Sequence, residues 1–202
     1  DKEGWLYVDW AIEWLGGVPK AANVGPSTAH NLIYSYTLEM AAKIMDELGL
    51  HENAKIYTKK RERILHVINS KCYDARKGLY MEGPSFNEEY SQVTQVWAVL
   101  SGAIDGEEAK KLIHKTINDK SLSQGTYPTR FYLFRAMEKT GTYKESEKLW
   151  DIWKELIGLN MTTLPEHPHD TRGDSSGWAA AMLYEYTRCF LGIYADKPVS
   201  PI

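Results

Sequence analysis

The chain has 202 residues, 43% of them hydrophobic, and this size and composition predict a single domain over residues 1–202 with one substantial core. Its 24 basic and 27 acidic residues give a net charge of -3, so the basic surface expected of a nucleic-acid or anionic-membrane binder is absent. No apolar run approaches the roughly 20 residues that a membrane span requires. The composition therefore favours a neutral or polar partner and excludes nucleic acid and membrane as expected partners.

The chain opens directly on an aromatic run and has no start methionine. We interpret it as an excerpt of a longer, multidomain polypeptide. Its two cysteines, Cys72 and Cys189, lack the spacing of a zinc site or a disulfide framework, so both are expected to be buried thiols. Neither a metal nor a cofactor is expected.

In chain order, the predicted helices alternate between segments buried on several sides and segments with one buried and one charged face. Four buried helices are predicted to begin near Ser27, Ser91, Pro128 and Trp178. Three amphipathic helices lie between them, over residues 52–70, 107–119 and 143–157. Buried helices backed by amphipathic ones indicate two layers, an inner and an outer one.

The connections also alternate in length. Tight glycine-marked turns follow the first three buried helices, whereas long loops over residues 71–90, 120–127 and 158–177 lead into the next buried helix. This pattern predicts an all-α fold, an α/α toroid that is an (α/α)6 barrel or a large part of one, with an open α-solenoid as the alternative. The long loops should gather at one end, over the N-termini of the inner helices, where a ligand cleft forms. That end carries most of the candidate chemistry: Glu82, Glu88, Glu89, Tyr90, Tyr127, Arg130, Glu166, His167, Asp170 and Trp178.

Carboxylates and aromatic side chains in one cleft suggest glycoside hydrolysis, which uses a pair of carboxyl groups as acid and base or nucleophile. Glu166 is the first candidate, because Pro165 and Pro168 stiffen the backbone around it. The alternative is an exposed loop glutamate without a catalytic role. His167 and His169 flank a proline at a spacing that is not specific for a metal, so substrate hydroxyls or solvent are their expected partners.

Asp9 and Trp10 form a second candidate pair. Asp9 lies inside an otherwise apolar aromatic run and needs a hydrogen-bond partner there. A sugar could supply that partner while stacking on Trp10. Structural hydrogen bonding by Asp9 is the competing interpretation.

Three runs carry a resemblance to a known family: residues 161–166 (MTTLPE), 174–178 (DSSGW) and 183–193 (LYEYTRCFLGI). Together with Asp9-Trp10 and the inner helix from Ser91, they resemble the C-terminal part of the catalytic (α/α)6 barrel of bacterial α-L-rhamnosidases, glycoside hydrolase family 78. Pro165 and Ser176 stand where that family commonly has Trp and His.

The resemblance implies inverting hydrolysis of terminal α-L-rhamnosides, with Glu166 as the general base. It also implies substrate binding by Asp9, Trp10, Trp178 and His167, a general acid upstream of this chain, and a periplasmic or extracellular location. Two other classes remain open. One is a polysaccharide lyase or unsaturated glucuronyl hydrolase of the same architecture, for which Tyr127 with Arg130 is the candidate pair. The other is a non-catalytic carbohydrate-binding or scaffold module.

Overall fold

The computed structural model describes residues 4–86, 88–166 and 174–193. Within them the chain is mainly helical, with one short antiparallel hairpin in which β1 (Tyr73–Asp74) pairs with β2 (Leu79–Tyr80). The helices, in chain order, are a 3₁₀ turn at Leu15–Gly17, α1 (Lys20–Val24), α2 (Thr28–Glu47), α3 (His51–Lys71), α4 (Gln92–Leu100), α5 (Gly106–Asn118), α6 (Tyr127–Thr140), a 3₁₀ segment at Tyr143–Trp150, α7 (Asp151–Gly158) and α8 (Ala181–Leu191). None of these helices is both long and apolar enough to span a membrane.

Hydroxyl side chains set the starts of the inner helices. The Ser27 hydroxyl accepts the His30 amide at 3.3 Å before α2, and the Ser91 hydroxyl accepts the Thr94 amide at 3.1 Å before α4. Pro128 lies in the first turn of α6, where its missing N–H is not needed. The structure thus begins three of the predicted inner helices where the capping signals place them.

The helices form two layers. Helices α2, α4, α6 and α8 pack side by side in sequence as the inner layer, while α3 packs on α2 and α5 packs on α4 and α6. The core between the layers contains the fully buried side chains of Leu32, Val96, Ile113, Phe134 and Met137. The predicted all-α toroidal architecture is therefore confirmed. Cys72 is buried as predicted, whereas the side chain of Cys189 lies outside the described part of the chain.

One predicted helix is divided. The stretch predicted as a helix over residues 143–157 is a 3₁₀ segment followed by α7. Tyr143, Ser146 and Leu149 turn inward at a spacing of three residues, which matches the three-residue turn of a 3₁₀ helix, in which positions i and i+3 align. Trp150, the last residue of this segment, is buried, and Trp153 on α7 is buried after it.

The two inner helices at the edges of the layer are less buried than predicted. Ile44 of α2 and Leu183 of α8 are each 56% exposed, and Leu48, Tyr184 and Leu191 also face solvent. The prediction that these helices are covered on several sides is wrong for this chain, because each has an inner-layer neighbour on one side within the described residues.

The two ends of the inner helices differ. We call the N-terminal ends of α2, α4 and α6, with the loop residues 72–86, 88–91, 119–126, 159–166 and 174–180, the loop face. The opposite ends, with the turns at Gly49, Gly102 and Gly141, are the turn face. Three backbone hydrogen bonds hold the long loops on the first turns of the inner helices: Thr28 N to Glu82 O (2.8 Å), Gln92 N to Ser123 O (2.9 Å) and Tyr127 N to Glu166 O (3.1 Å).

Candidate functional site

Asp9 is buried at the N-terminus of α6, with only 3% of its surface exposed. Its Oδ1 accepts the Trp10 amide at 2.9 Å and the Thr126 hydroxyl at 2.6 Å, and its Oδ2 accepts the Thr126 amide at 2.9 Å and the Thr129 hydroxyl at 2.7 Å. Each carboxylate oxygen therefore has two donors. These bonds satisfy donors at the start of α6 that have no partner within the helix. They agree with the interpretation in which Asp9 has a structural hydrogen-bonding role. A contact between Asp9 and a sugar stays a prediction.

Trp10 belongs to a group of three rings, here called the aromatic cluster: Trp5, Tyr7 and Trp10. The ring centroids are 5.2 Å apart for Trp5 and Tyr7, 5.6 Å for Trp5 and Trp10, and 5.2 Å for Tyr7 and Trp10. All three pairs are tilted by more than 50°. Such mutually tilted contacts are favourable and fix the orientation of each ring.

Gly17 makes room for this cluster. It has a φ of 73°, and a Cβ atom at this position would lie 2.6 Å from Cδ2 of Tyr7 and 3.0 Å from the carbonyl oxygen of Asp9. Its own carbonyl accepts the Val8 amide at 2.9 Å. Glycine is therefore needed here both for the left-handed backbone and for the close approach of the Tyr7 ring.

Glu166 lies beside the same helix start, since its carbonyl accepts the Tyr127 amide at 3.1 Å. Pro165 before it is buried. The Ser176 amide donates to Leu164 O at 2.7 Å, so the two ends of this loop are joined. The Glu166 side chain is partly exposed, and among the described residues its carboxylate has no hydrogen-bond or ion-pair partner. It differs in this respect from Asp9.

Electrostatics place Glu166 next to the aromatic cluster. Burial raises the pKa of the Tyr7 phenol well above its ordinary value of 10.0, and the negative charges of Asp9 and Glu166 raise it further. Tyr7 therefore stays protonated and can donate a hydrogen bond at neutral pH. The structure thus brings together Asp9, Trp10 and Glu166, three of the residues predicted for the site.

His30 and Tyr7 are site residues that the sequence analysis missed. His30 Nε2 lies 3.0 Å from the carbonyl of Tyr7, which can only accept, so this nitrogen is the protonated one. Its Nδ1 is buried and has no partner within the described part of the chain. The position of His30 in the first turn after the Ser27 cap was the available signal, because that turn belongs to the loop face.

Glu82 and Glu89 were expected to line the cleft, but the structure uses both as internal caps. Glu82 is fully buried and accepts the hydroxyls of Ser91 at 2.6 Å and Thr94 at 2.8 Å. Burial raises its pKa to about 7, against the lowering effect of these two hydrogen bonds. Glu89 accepts the amides of Lys20 at 3.0 Å and Ala21 at 2.9 Å at the start of α1. The position of Glu89 is favourable because helix N-termini attract negative charge, whereas Glu82 is held by the two hydroxyl groups.

The candidate pair for a lyase is packed in the core. Tyr127 is buried, and the guanidinium of Arg130 lies 5.8 Å from its ring centroid and 5.9 Å from that of Trp153. Burial lowers the pKa of Arg130. Tyr90, also expected at the cleft, is buried and donates its hydroxyl to Asp74 at 2.9 Å. These side chains bind their neighbours, so the geometry does not favour a tyrosine base beside a uronate.

The remaining predicted residues are separate from the cluster or lie outside the described residues. Trp178 is 72% exposed on the turn before α8, and its ring has no aromatic or cationic partner in the described part of the chain. His167 and Asp170 belong to the residues that the structure does not describe. Among the described residues, no group of three or more His, Cys, Asp or Glu side chains could hold a metal ion.

Comparisons with known proteins support the fold. No protein-family model matches the sequence, and no curated protein matches it significantly. Solved structures similar to it include two rhamnosidases. The GH78 family rhamnosidase of Bacillus sp. GL1 has 21% identity and a TM-score of 0.75 over 92% of this chain. A rhamnosidase from Klebsiella oxytoca with rhamnose bound has 14% identity and a TM-score of 0.75 over 96% of this chain.

This chain spans much less than either neighbour, since it covers 20% of the Bacillus chain and 37% of the Klebsiella chain. At such low sequence identity the likeness concerns the fold. The helical fold of this chain is therefore similar to part of two rhamnosidases.

Proposed function

We propose that the protein is an inverting glycoside hydrolase that acts on terminal α-L-rhamnosides, with Glu166 as its general base. The observation that carries this proposal is that the Glu166 carboxylate, beside the aromatic cluster, accepts no hydrogen bond from the residues that the structure describes. Asp9, Glu82 and Glu89 on the same face all accept hydrogen bonds from the protein itself. Glu88 and Asp174 are also without such bonds in the described part of the chain, but Glu166 is the one anchored at the start of α6, beside Asp9 and the aromatic cluster.

The surroundings of Glu166 suit a sugar. Aromatic rings beside a carboxylate offer an apolar face for the C–H side of a sugar ring, while the carboxylate and the Tyr7 phenol offer hydrogen bonds. Tyr7 is close enough for Glu166 to raise its pKa. The similarity to a rhamnosidase with rhamnose bound favours an α-L-rhamnoside over other sugars.

In the proposed mechanism, Glu166 removes a proton from a water molecule as that water attacks the anomeric carbon from the side opposite the leaving group. A second carboxyl protonates the leaving oxygen, about 6.5 to 9.5 Å from the base, which leaves space for the water. Asp9 contributes by holding the start of α6, on which the backbone of Glu166 is anchored. Trp10, Trp178 and His167 are proposed to bind the substrate.

The test is a comparison of two isosteric variants on an aryl α-L-rhamnoside. Because general base assistance contributes about 10² to 10⁴-fold in rate, Glu166→Gln should lower turnover by that range and leave the melting temperature unchanged. Glu88→Gln is the matched control, because Glu88 is exposed on the same face. It should retain full turnover. Near-normal turnover by a folded Glu166→Gln variant would refute the role of Glu166 and favour a non-catalytic carbohydrate-binding module.

A further inference from the structure

Trp5 is exposed but held in a fixed orientation. Its side chain is 66% exposed, although its indole Nε1 donates to the carbonyl of Gly16 at 2.8 Å. Its ring also contacts Tyr7 and Trp10 within the aromatic cluster. A large apolar ring that is oriented before binding loses little conformational entropy when a ligand stacks on it. Trp5 therefore has the properties of a pre-oriented stacking surface.

The exposure of the cluster is uneven. Tyr7 and Trp10 are partly buried, so Trp5 presents the most accessible ring. Trp10 follows Asp9, which accepts the Thr126 amide at the start of α6, and the carbonyl of Glu166 accepts the amide of the next residue, Tyr127. The ring of Trp10 contacts those of Trp5 and Tyr7, so the cluster reaches from the neighbourhood of Glu166 to the open surface. A ligand with one ring at Glu166 can place a second ring against Trp5.

We infer that Trp5 forms a subsite for the leaving-group side of the substrate, where it stacks on the ring next to the cleaved sugar. This inference rests on the proposed function, because a terminal rhamnoside has one neighbouring ring, and that ring is the leaving group. The substrate class is therefore a glycoside with at least two rings. The second ring is a sugar or an aryl group, since both present a flat face to an indole.

Binding can be measured separately from catalysis in the Glu166→Gln background. The probes for isothermal titration are rhamnose, an α-L-rhamnosyl-glucose disaccharide and phenyl α-L-rhamnoside. Trp5→Ala should weaken binding of a two-ring probe about fivefold and leave rhamnose binding unchanged, because stacking contributes about 1 kcal/mol. Trp5→Phe should restore most of the affinity. A stronger effect on the disaccharide identifies a sugar as the second ring, and a stronger effect on the phenyl glycoside identifies an aryl group.

Ile12→Ala is the matched control, because Ile12 is 79% exposed on the same segment and carries no ring. It should not change any affinity. Equal losses for rhamnose and the two-ring probes, a loss reproduced by Ile12→Ala, or no loss in Trp5→Ala would overturn the subsite. The proposed function fails separately if Glu166→Gln retains turnover while Trp5→Ala still weakens the two-ring probes. Failure of every probe to bind every variant overturns both.

Discussion

Helix ends are capped by side chains at both the loop face and the turn face, but the capping side chains are acidic at the loop face and basic at the turn face. At the loop face, Asp9, Glu82 and Glu89 accept hydrogen bonds at helix starts. At the turn face, Lys139 donates to the carbonyls of Val99 at 2.8 Å and Leu100 at 3.1 Å, where α4 ends. Anions at N-termini and cations at C-termini both complement the helix dipole.

The two faces differ in their connections and in the side chains that remain without a hydrogen-bond partner. The turn face closes with tight turns at Gly49, Gly102 and Gly141, each with a positive φ. The loop face has long loops and, among the described residues, three carboxylates without a hydrogen-bond or ion-pair partner, those of Glu88, Glu166 and Asp174, of which Glu166 lies at the start of α6 beside the aromatic cluster. An acidic residue at the loop face is therefore weak support for catalysis, because the fold itself needs such residues. Unfilled bonding capacity distinguishes the candidate from the caps.

The largest expected effect comes from removing the Asp9 carboxylate. Asp9→Ala leaves three buried donors and one partly buried donor without this acceptor, so we expect the free energy of unfolding to fall by about 4 kcal/mol. Urea denaturation measures this change. Glu166→Ala provides the contrast and should alter stability by less than about 0.5 kcal/mol. Equal destabilisation by the two substitutions would remove the distinction between cap and free carboxylate.

A smaller effect is expected in the pH dependence of stability. The pKa of Glu82 is about 7 in the folded protein against an ordinary value of 4.5. Between these pH values the folded state keeps a proton that the unfolded chain releases. The free energy of unfolding should therefore fall as the pH rises from 4.5 to 7, by about 3 kcal/mol, and stay level above that range.

Glu82→Gln isolates this contribution, because Gln does not titrate. The difference in unfolding free energy between the native protein and the variant should change across this window when both are followed by urea denaturation. Parallel pH profiles for the two proteins would show that Glu82 has an ordinary pKa.

The smallest of the three effects separates two glycines with the same backbone conformation. Gly17 at the loop face and Gly49 at the turn face have φ values of 73° and 74°. A Cβ at Gly17 meets the Tyr7 ring, whereas a Cβ at Gly49 meets nothing within 4 Å. Gly17→Ala should therefore cost about 2 kcal/mol more than Gly49→Ala, for which backbone strain alone contributes about 1 kcal/mol. Thermal or urea unfolding of both variants measures the difference, and equal costs would show that the Tyr7 ring moves aside freely.

Sequence periodicity was sufficient to predict the two-layer architecture, because the positions of charged residues along a helix indicate which side is buried. The helix starts at Ser27 and Ser91 followed from capping chemistry. Periodicity could not show that α2 and α8 lie at the edges, since an apolar surface on a helix does not identify its partner. The 3₁₀ segment was missed because spacings of three and of 3.6 residues are similar over so few turns.

The candidate site was only partly predictable. Asp9, Trp10 and Glu166 were named from the sequence, and the structure brings them to the start of α6. The sequence could not distinguish Glu82 from Glu166, because both are loop glutamates and their difference lies in hydrogen-bond partners. The sequence analysis did not name Trp5 or His30 as candidates, since both are identified by contacts with Tyr7 that only the folded structure shows.

The cap that Asp9 provides also bears on how the chain assembles. Asp9 is separated from Thr126 by 117 residues and from Thr129 by 120. Closing so long a segment carries an entropic cost that local helix formation does not, so non-local contacts of this kind form slowly. The cap on α6 therefore depends on docking of the N-terminal aromatic segment, a contact that local helix formation does not bring about.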